Sequence, residues 1–170
     1  MKPVKLYNVI FPIWLILFFP PVIFITLAGN FIIDSLVILA CFFAFKLSET
    51  YGLKTFYRKS VLKVWIFGFL ADIIGASLLF LCGISGDTLG LPYEVTSGIN
   101  FDPFSNSFST AIIISSMILA AVLIFIFSYW IVFANMLEDK KLKLKVAITV
   151  SIVTMPWTFL LPTKWFYKGF

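Results

Sequence analysis

The sequence predicts an all-α membrane protein, an integral membrane bundle of five transmembrane helices that forms a single polytopic domain. The chain has 170 residues, of which 61% are hydrophobic and 12% are charged, and its mean hydropathy is +1.06. Soluble domains contain about 45–50% hydrophobic and about 25% charged residues. A soluble domain of this size leaves much of its surface in water, so it could not bury this many apolar side chains. We therefore expect lipid to surround the helices.

The first apolar segment is long enough for two helices. It runs from residue 7 to residue 45 almost without interruption, whereas one span needs about 20 residues. The turn could lie at Pro20-Pro21, where two residues lack an amide donor. It could also lie at Gly29-Asn30, where a C-cap glycine would precede an N-cap asparagine, and the sequence favours this second position. A cationic start before an apolar run is also typical of a signal peptide, but we interpret this segment as membrane structure.

Three further apolar runs follow, separated by polar connectors. The longest connector, residues 85–108, is rich in Gly, Ser, Asn and Asp and contains Pro92 and Pro103, which is typical of a loop with turns. The five predicted spans cover about residues 8–27, 30–46, 64–84, 110–136 and 146–161.

The basic residues predict how the bundle is oriented, because cytoplasmic loops collect Lys and Arg. With five spans, only Lys164 and Lys168 of the 13 basic residues lie on one side of the membrane. The other eleven share the opposite side: Lys2, Lys5, Lys46, Lys54, Arg58, Lys59, Lys63, Lys140, Lys141, Lys143 and Lys145. This distribution places the N-terminus in the cytoplasm, and the C-terminus and the loop of residues 85–108 outside. We expect a multi-pass protein of a plasma (inner) membrane.

Two aspartates lie inside predicted spans, where a charge costs about 2.5–3.5 kcal/mol. Asp72 follows Lys63 by nine residues, which places it about 13 Å from the inner surface and close to the middle of the bilayer. Asp34 lies about 6 Å or about 18 Å deep, depending on where the first segment turns. One interpretation is an ion- or proton-binding site at Asp72, with Asp34, Asn30 and Ser35 supplying further oxygens. The alternative is that both acids are hydrogen-bonded within the bundle and have a structural role.

Small residues recur at four-residue spacing in three of the spans. Such pairs allow two membrane helices to approach closely. The candidates for helix packing are Ala71 with Gly75, Ser116 with Ala120, and Ala147 with Ser151.

The residue types argue against an enzyme. The chain has no His, which is the commonest general base and a frequent metal ligand. Cys41 and Cys82 lie in apolar runs without metal-ligand spacing. No phosphate-binding glycine loop, zinc signature or nucleophile elbow is present. We therefore expect no catalytic residues, no metal, no cofactor and no nucleic-acid partner.

The sequence favours a small channel or transporter component that uses an intramembrane carboxylate to bind an ion or a proton. The lipid bilayer is its predicted partner, and a homo-oligomer or a larger membrane complex is compatible with this function. The alternative is an accessory or interaction subunit of a larger membrane complex, in which the outer loop of residues 85–108 contacts the partner protein.

Overall fold

Helices make up the regular structure of the chain. The computed structural model describes residues 11–86 and 88–167, and these residues contain no strand. In chain order the α-helices are α1 (Ile13–Ile16), α2 (Val22–Ala44), α3 (Leu53–Ile84), α4 (Tyr93–Phe101), α5 (Ser107–Phe127) and α6 (Lys140–Thr154). Short 3-10 helices cover Leu47–Glu49, Trp157–Leu160 and Thr163–Trp165, and a π-helix at Ser128–Val132 continues α5. The expectation of an all-helical fold is confirmed.

Four helical segments are long and apolar enough to cross a membrane. They are α2, α3, α5, and α6 together with the 3-10 helix that follows it. The predicted number of five spans is therefore not confirmed within the described residues. The difference arises in the first apolar segment, where the predicted spans of residues 8–27 and 30–46 meet inside α2.

The first segment turns at Pro20-Pro21, and α2 continues through Gly29-Asn30 without a break. The favoured turn at Gly29-Asn30 is wrong. Capping residues end a helix where water can bind the free backbone groups. Lipid offers no such partners, so a helix that crosses a membrane gains nothing by ending at a capping residue. Two adjacent prolines, in contrast, remove two amide donors from the chain and interrupt the hydrogen-bond ladder.

The two ends of the described chain lie together. The Ile13 amide donates a hydrogen bond to Oγ1 of Thr163 over 3.0 Å. The indole Nε1 of Trp14 donates to the carbonyl of Ile99 in α4 over 3.1 Å. The start of the described chain and its C-terminal segment therefore share one end of the bundle with α4, which we call the α4 end. The predicted placement of the two termini on opposite sides is not confirmed.

Two helices begin before their predicted starts because polar residues cap them. Oδ1 of Asn106 accepts a hydrogen bond from the amide of Phe108 at the start of α5, over 2.8 Å. Oδ1 of Asp139 accepts one from the amide of Lys141 at the start of α6, also over 2.8 Å. Each cap satisfies a backbone donor that the first helical turn leaves free. The segment of residues 85–108, predicted as a loop, also contains the helix α4.

Helix α3 is longer than its predicted span of residues 64–84. Its 32 residues measure about 48 Å, whereas the hydrocarbon core of a bilayer is about 30 Å thick. The additional residues, 53–63, form three basic turns at the start of the helix. The hydropathy of the sequence therefore predicted the apolar part of α3 but not these first three turns. The start of α3 lies at the same end of the bundle as the end of α2, the end of α5 and the start of α6, and we call this the basic end.

Apolar side chains form two cores along the bundle. The core at the basic end includes Phe42, Phe56, Phe133, Leu137 and Val146. The core at the α4 end includes Trp14, Leu79, Ile99, Met117 and Phe159. In α3, Ala71 belongs to the first core and Ala76 to the second, so Asp72 lies where the two cores meet.

Small residues lie where α3 packs against α5. Oγ of Ser116 donates a hydrogen bond to the carbonyl of Gly75 over 2.6 Å. A Cβ atom on Gly75 would lie 3.2 Å from the Ser116 carbonyl oxygen and 3.3 Å from Cβ of Ala120. The other small residues that the sequence singled out, Ala71, Ala147 and Ser151, are also buried. The α3–α5 contact therefore has no room for a larger side chain at Gly75.

Candidate functional site

Asp34 and Asp72 lie at similar depths in neighbouring helices. Asp34 is twelve residues after Val22 in α2, and Asp72 is twelve residues before Ile84 in α3. At a rise of 1.5 Å per residue, each is about 18 Å from the α4 end of its helix. This depth is near the middle of a core about 30 Å thick, as the Pro20-Pro21 alternative predicted for Asp34.

The two carboxylates face one cavity. The side chain of Asp34 is 5% exposed and that of Asp72 is 8% exposed. Oδ2 of Asp34 lies 4.0 Å from the position that a Cβ atom on Gly68 would occupy, and Gly68 lies one helical turn before Asp72. A Cβ atom at this distance would make only an ordinary van der Waals contact, so the carboxylate of Asp34 lies beside this part of α3 without requiring glycine there. The cavity has a volume of about 120 Å³.

Three parts of the chain supply the walls of this cavity, which we call the aspartate pocket. Its lining residues are Leu17, Phe18, Thr26, Asn30, Ile33 and Asp34 before or in α2, Gly68, Phe69 and Asp72 in α3, and residues 153–159 at the end of α6. Neither Lys nor Arg occurs among them. The polar side chains are two carboxylates, three threonine hydroxyls, one amide and the indole of Trp157, and most of them carry an oxygen that can accept a hydrogen bond.

A break in α6 forms the third wall. Helix α6 ends at Thr154, and Pro156 cannot donate an amide hydrogen to the carbonyl of Ile152. The amide of Trp157 donates to the carbonyl of Met155 over 2.7 Å instead of continuing the helical ladder. The last turn of α6 therefore presents carbonyl oxygens at its C-terminus, which is the negative end of the helix dipole. These carbonyl groups add to the negative potential of the two aspartates.

Asp72 has an unpaired oxygen. Its Oδ1 atom is buried and has no hydrogen-bond partner among the described residues. Buried polar atoms nearly always have a partner, and an unpaired charge in an apolar environment is costly. Within the described residues nothing pairs with this oxygen, so the carboxyl group of Asp72 has an open position for a proton, a cation or water.

The structure brings together three of the four residues that the sequence proposed for an ion or proton site. Asn30, Asp34 and Asp72 all line the aspartate pocket, but Ser35 does not. Oγ of Ser35 instead accepts a hydrogen bond from the hydroxyl of Tyr57 over 2.9 Å. Successive residues of a helix are about 100° apart around its axis, so Ser35 cannot face the same direction as Asp34.

Sequence reasoning missed the contributions of Gly68 and Pro156. Nothing in the sequence marks Gly68, because an isolated glycine is common in membrane helices. Pro156 did give a signal, since proline inside an apolar run breaks a helix, but the predicted fifth span continued through it to residue 161.

The described residues contain no group of three or more His, Cys, Asp or Glu side chains that could hold a metal ion. A cation in the aspartate pocket would therefore combine the two carboxylates with amide, hydroxyl or carbonyl oxygens. Hard cations such as Na⁺, Mg²⁺ and Ca²⁺ prefer oxygen ligands of these kinds.

Comparison with known protein families, with curated proteins and with solved structures gives no match. Function therefore has to be inferred from the pocket itself.

Proposed function

We propose that this protein is a small, non-enzymatic channel or transporter component that binds a proton or a small cation in the aspartate pocket. The observation that carries this proposal is the buried carboxylate of Asp72. It shares its pocket with Asp34, and none of the described residues forms a hydrogen bond with its Oδ1 atom. Ionisable residues inside membrane spans are costly and typically mark ion or proton paths.

The composition of the pocket supports a positively charged ligand. Two ionised carboxylates in one pocket repel each other, and a proton or a cation between them removes this repulsion. In the part of the chain that the structure describes, no basic side chain lines the pocket to take that role. The C-terminal carbonyls of α6 favour the same ligand, because broken helices in transporters coordinate Na⁺ or H⁺ through such groups.

We also propose that the chain crosses a plasma or inner membrane four times, with the basic end in the cytoplasm. Nine of the 13 basic residues support this orientation: Lys46, Lys54, Arg58, Lys59, Lys63, Lys140, Lys141, Lys143 and Lys145. The contact between Ile13 and Thr163 at the α4 end favours an even number of crossings. An arrangement of five crossings, with the N-terminus inside and the C-terminus outside, remains the alternative prediction.

Flux measurements in reconstituted vesicles test the proposal. The wild-type protein should allow movement of H⁺ or Na⁺, followed by a pH-sensitive dye inside the vesicles or by uptake of radioactive Na⁺. The Asp72→Asn variant keeps the size of the side chain but removes its charge, and it should lose this flux. Glu138→Gln is a matched control, because it neutralises an exposed carboxylate outside the pocket, and it should retain the flux.

Two results would contradict the proposal. One is equal flux through wild-type and Asp72→Asn protein when both have the same helix content by circular dichroism. The other is no movement of H⁺ or Na⁺ through the wild-type protein at any pH or membrane potential tested.

A second candidate function is supported by the outer segment. Tyr93 and Phe108 are each 74% exposed and Phe104 is 62% exposed, so three large aromatic side chains of residues 85–108 are free to contact another molecule. Exposed apolar patches often mark contacts with another protein. If the protein is an accessory subunit, a second membrane protein should co-purify with it. That association should be lost in a Tyr93→Ser/Phe104→Ser variant. The purified wild-type protein should then show no flux of H⁺ or Na⁺.

A further inference from the structure

A basic groove lies at the basic end of the bundle, between α3 and the end of α5. It has a volume of about 430 Å³. Its lining residues are Arg58, Lys59, Leu62 and Lys63 of α3 together with Ile131, Val132, Asn135 and Met136. A neighbouring hollow of about 520 Å³ adds Lys54 and Thr55 and shares Arg58 and Lys59 with the groove. Four cationic side chains therefore surround one continuous surface.

The positive charge of this groove is not balanced by the carboxylates of the described residues. No Asp or Glu of residues 11–86 or 88–167 lines either hollow. Among the residues that the structure describes, the one ion pair joins Lys164 to Asp102 near the α4 end. Lys59 and Lys63 are four residues apart on one helix, and like charges at this spacing repel each other. An anion bound between them would remove this repulsion.

The same groove has an apolar side. Leu62 is 52% exposed and Ile131 is 44% exposed, and both line it beside the cations. Lys63 directly precedes the apolar part of α3 that begins at Val64, so the cations lie at the level where lipid headgroups meet the hydrocarbon. Asn135 adds an amide that can donate hydrogen bonds.

We propose that this groove binds an anionic phospholipid. Its phosphate contacts Arg58, Lys59 and Lys63, and its acyl chains lie along Leu62 and Ile131. A guanidinium group can donate two parallel hydrogen bonds to a phosphate. Basic pockets between membrane helices bind anionic headgroups in this way. The proposal is independent of the aspartate pocket, because the two sites share no residue.

Displacement of a fluorescent phosphatidylglycerol from the detergent-solubilised protein tests the proposal. Unlabelled phosphatidylglycerol should displace the probe, whereas phosphatidylcholine should not. The variant Arg58→Gln/Lys59→Gln/Lys63→Gln should bind the probe about a hundredfold more weakly, if each cation contributes as basic residues near anionic membranes do. All three side chains are exposed, so the variant should fold, and circular dichroism checks this.

The matched control is Lys140→Gln/Lys141→Gln/Lys145→Gln, which removes the same charge from exposed positions at the basic end but outside the groove. It should bind the probe much more tightly than the groove variant does. An equal loss in the two variants would show general attraction to the basic end and overturn the proposal. Displacement by inorganic phosphate at the concentration at which phosphatidylglycerol acts would also overturn it, because the ligand would then be a soluble anion.

Discussion

Replacing Gly75 with leucine tests the closest contact between α3 and α5. At this position even a Cβ atom would meet the carbonyl oxygen of Ser116 at 3.2 Å, Cβ of Ala120 at 3.3 Å and the ring of Phe159 at 3.3 Å. The first two atoms belong to the backbone and to a short rigid side chain, so they cannot rotate away. Leucine can fit only if α3 and α5 move apart.

The cost of this substitution follows from two contributions. Overpacking a well-packed contact costs about 1–3 kcal/mol. Moving the helices apart also breaks the hydrogen bond from Ser116 to the Gly75 carbonyl, which contributes about 0.5–1.5 kcal/mol. We expect the free energy of unfolding of Gly75→Leu to fall by about 1.5–4.5 kcal/mol.

Gly29→Leu is the matched control, because it makes the same change inside another long helix. A Cβ atom on Gly29 would have no neighbour within 4 Å. The free energy of unfolding should stay unchanged or rise by up to about 1 kcal/mol, since glycine is a poor helix former. Unfolding in mixed micelles of increasing SDS content, followed by circular dichroism, measures both variants. Equal destabilisation of the two would refute the account of the α3–α5 contact, and a large loss in Gly29→Leu alone would indicate a turn at that glycine.

Three further predictions concern the aspartate pocket and the α4 end. Pro156→Ala should let α6 continue, which would raise the helix content in circular dichroism and lower ion flux; unchanged helix content would contradict the break. Asn30→Ala should weaken cation binding in isothermal titration calorimetry while Ser35→Ala should not, and equal effects would count against the pocket. Trp14→Phe removes the hydrogen bond to Ile99 and shortens a side chain that is 2% exposed, so it should lower the free energy of unfolding by at least about 1–3 kcal/mol; an unchanged value would contradict this buried contact.

The sequence was most informative where a residue conflicts with its surroundings. Asp34 and Asp72 stand out because a carboxylate inside an apolar run needs an explanation, and both line the same pocket. The apolar runs likewise located the membrane helices, since lipid demands a continuous hydrophobic surface.

The remaining features depend on contacts between distant parts of the chain. Ser35 has an oxygen like its neighbours in sequence, but its direction around α2 turns it toward Tyr57. Gly68 lines the pocket because the side chain of Asp34, from another helix, lies beside it. The chain turns at Pro20-Pro21 rather than at Gly29-Asn30 because α2 is apolar enough to cross a membrane, and a helix in lipid gains nothing by ending at a cap signal.

Infrared difference spectroscopy of the carboxyl groups tests most directly whether Asp72 and Asp34 form a binding site for a positively charged ligand. In the wild-type protein the carboxyl signal should change when the pH is changed or Na⁺ is added. This change should be absent in Asp72→Asn and retained in Glu138→Gln. A wild-type spectrum that responds to neither pH nor Na⁺, or one that responds identically after Asp72→Asn, would contradict the proposed site.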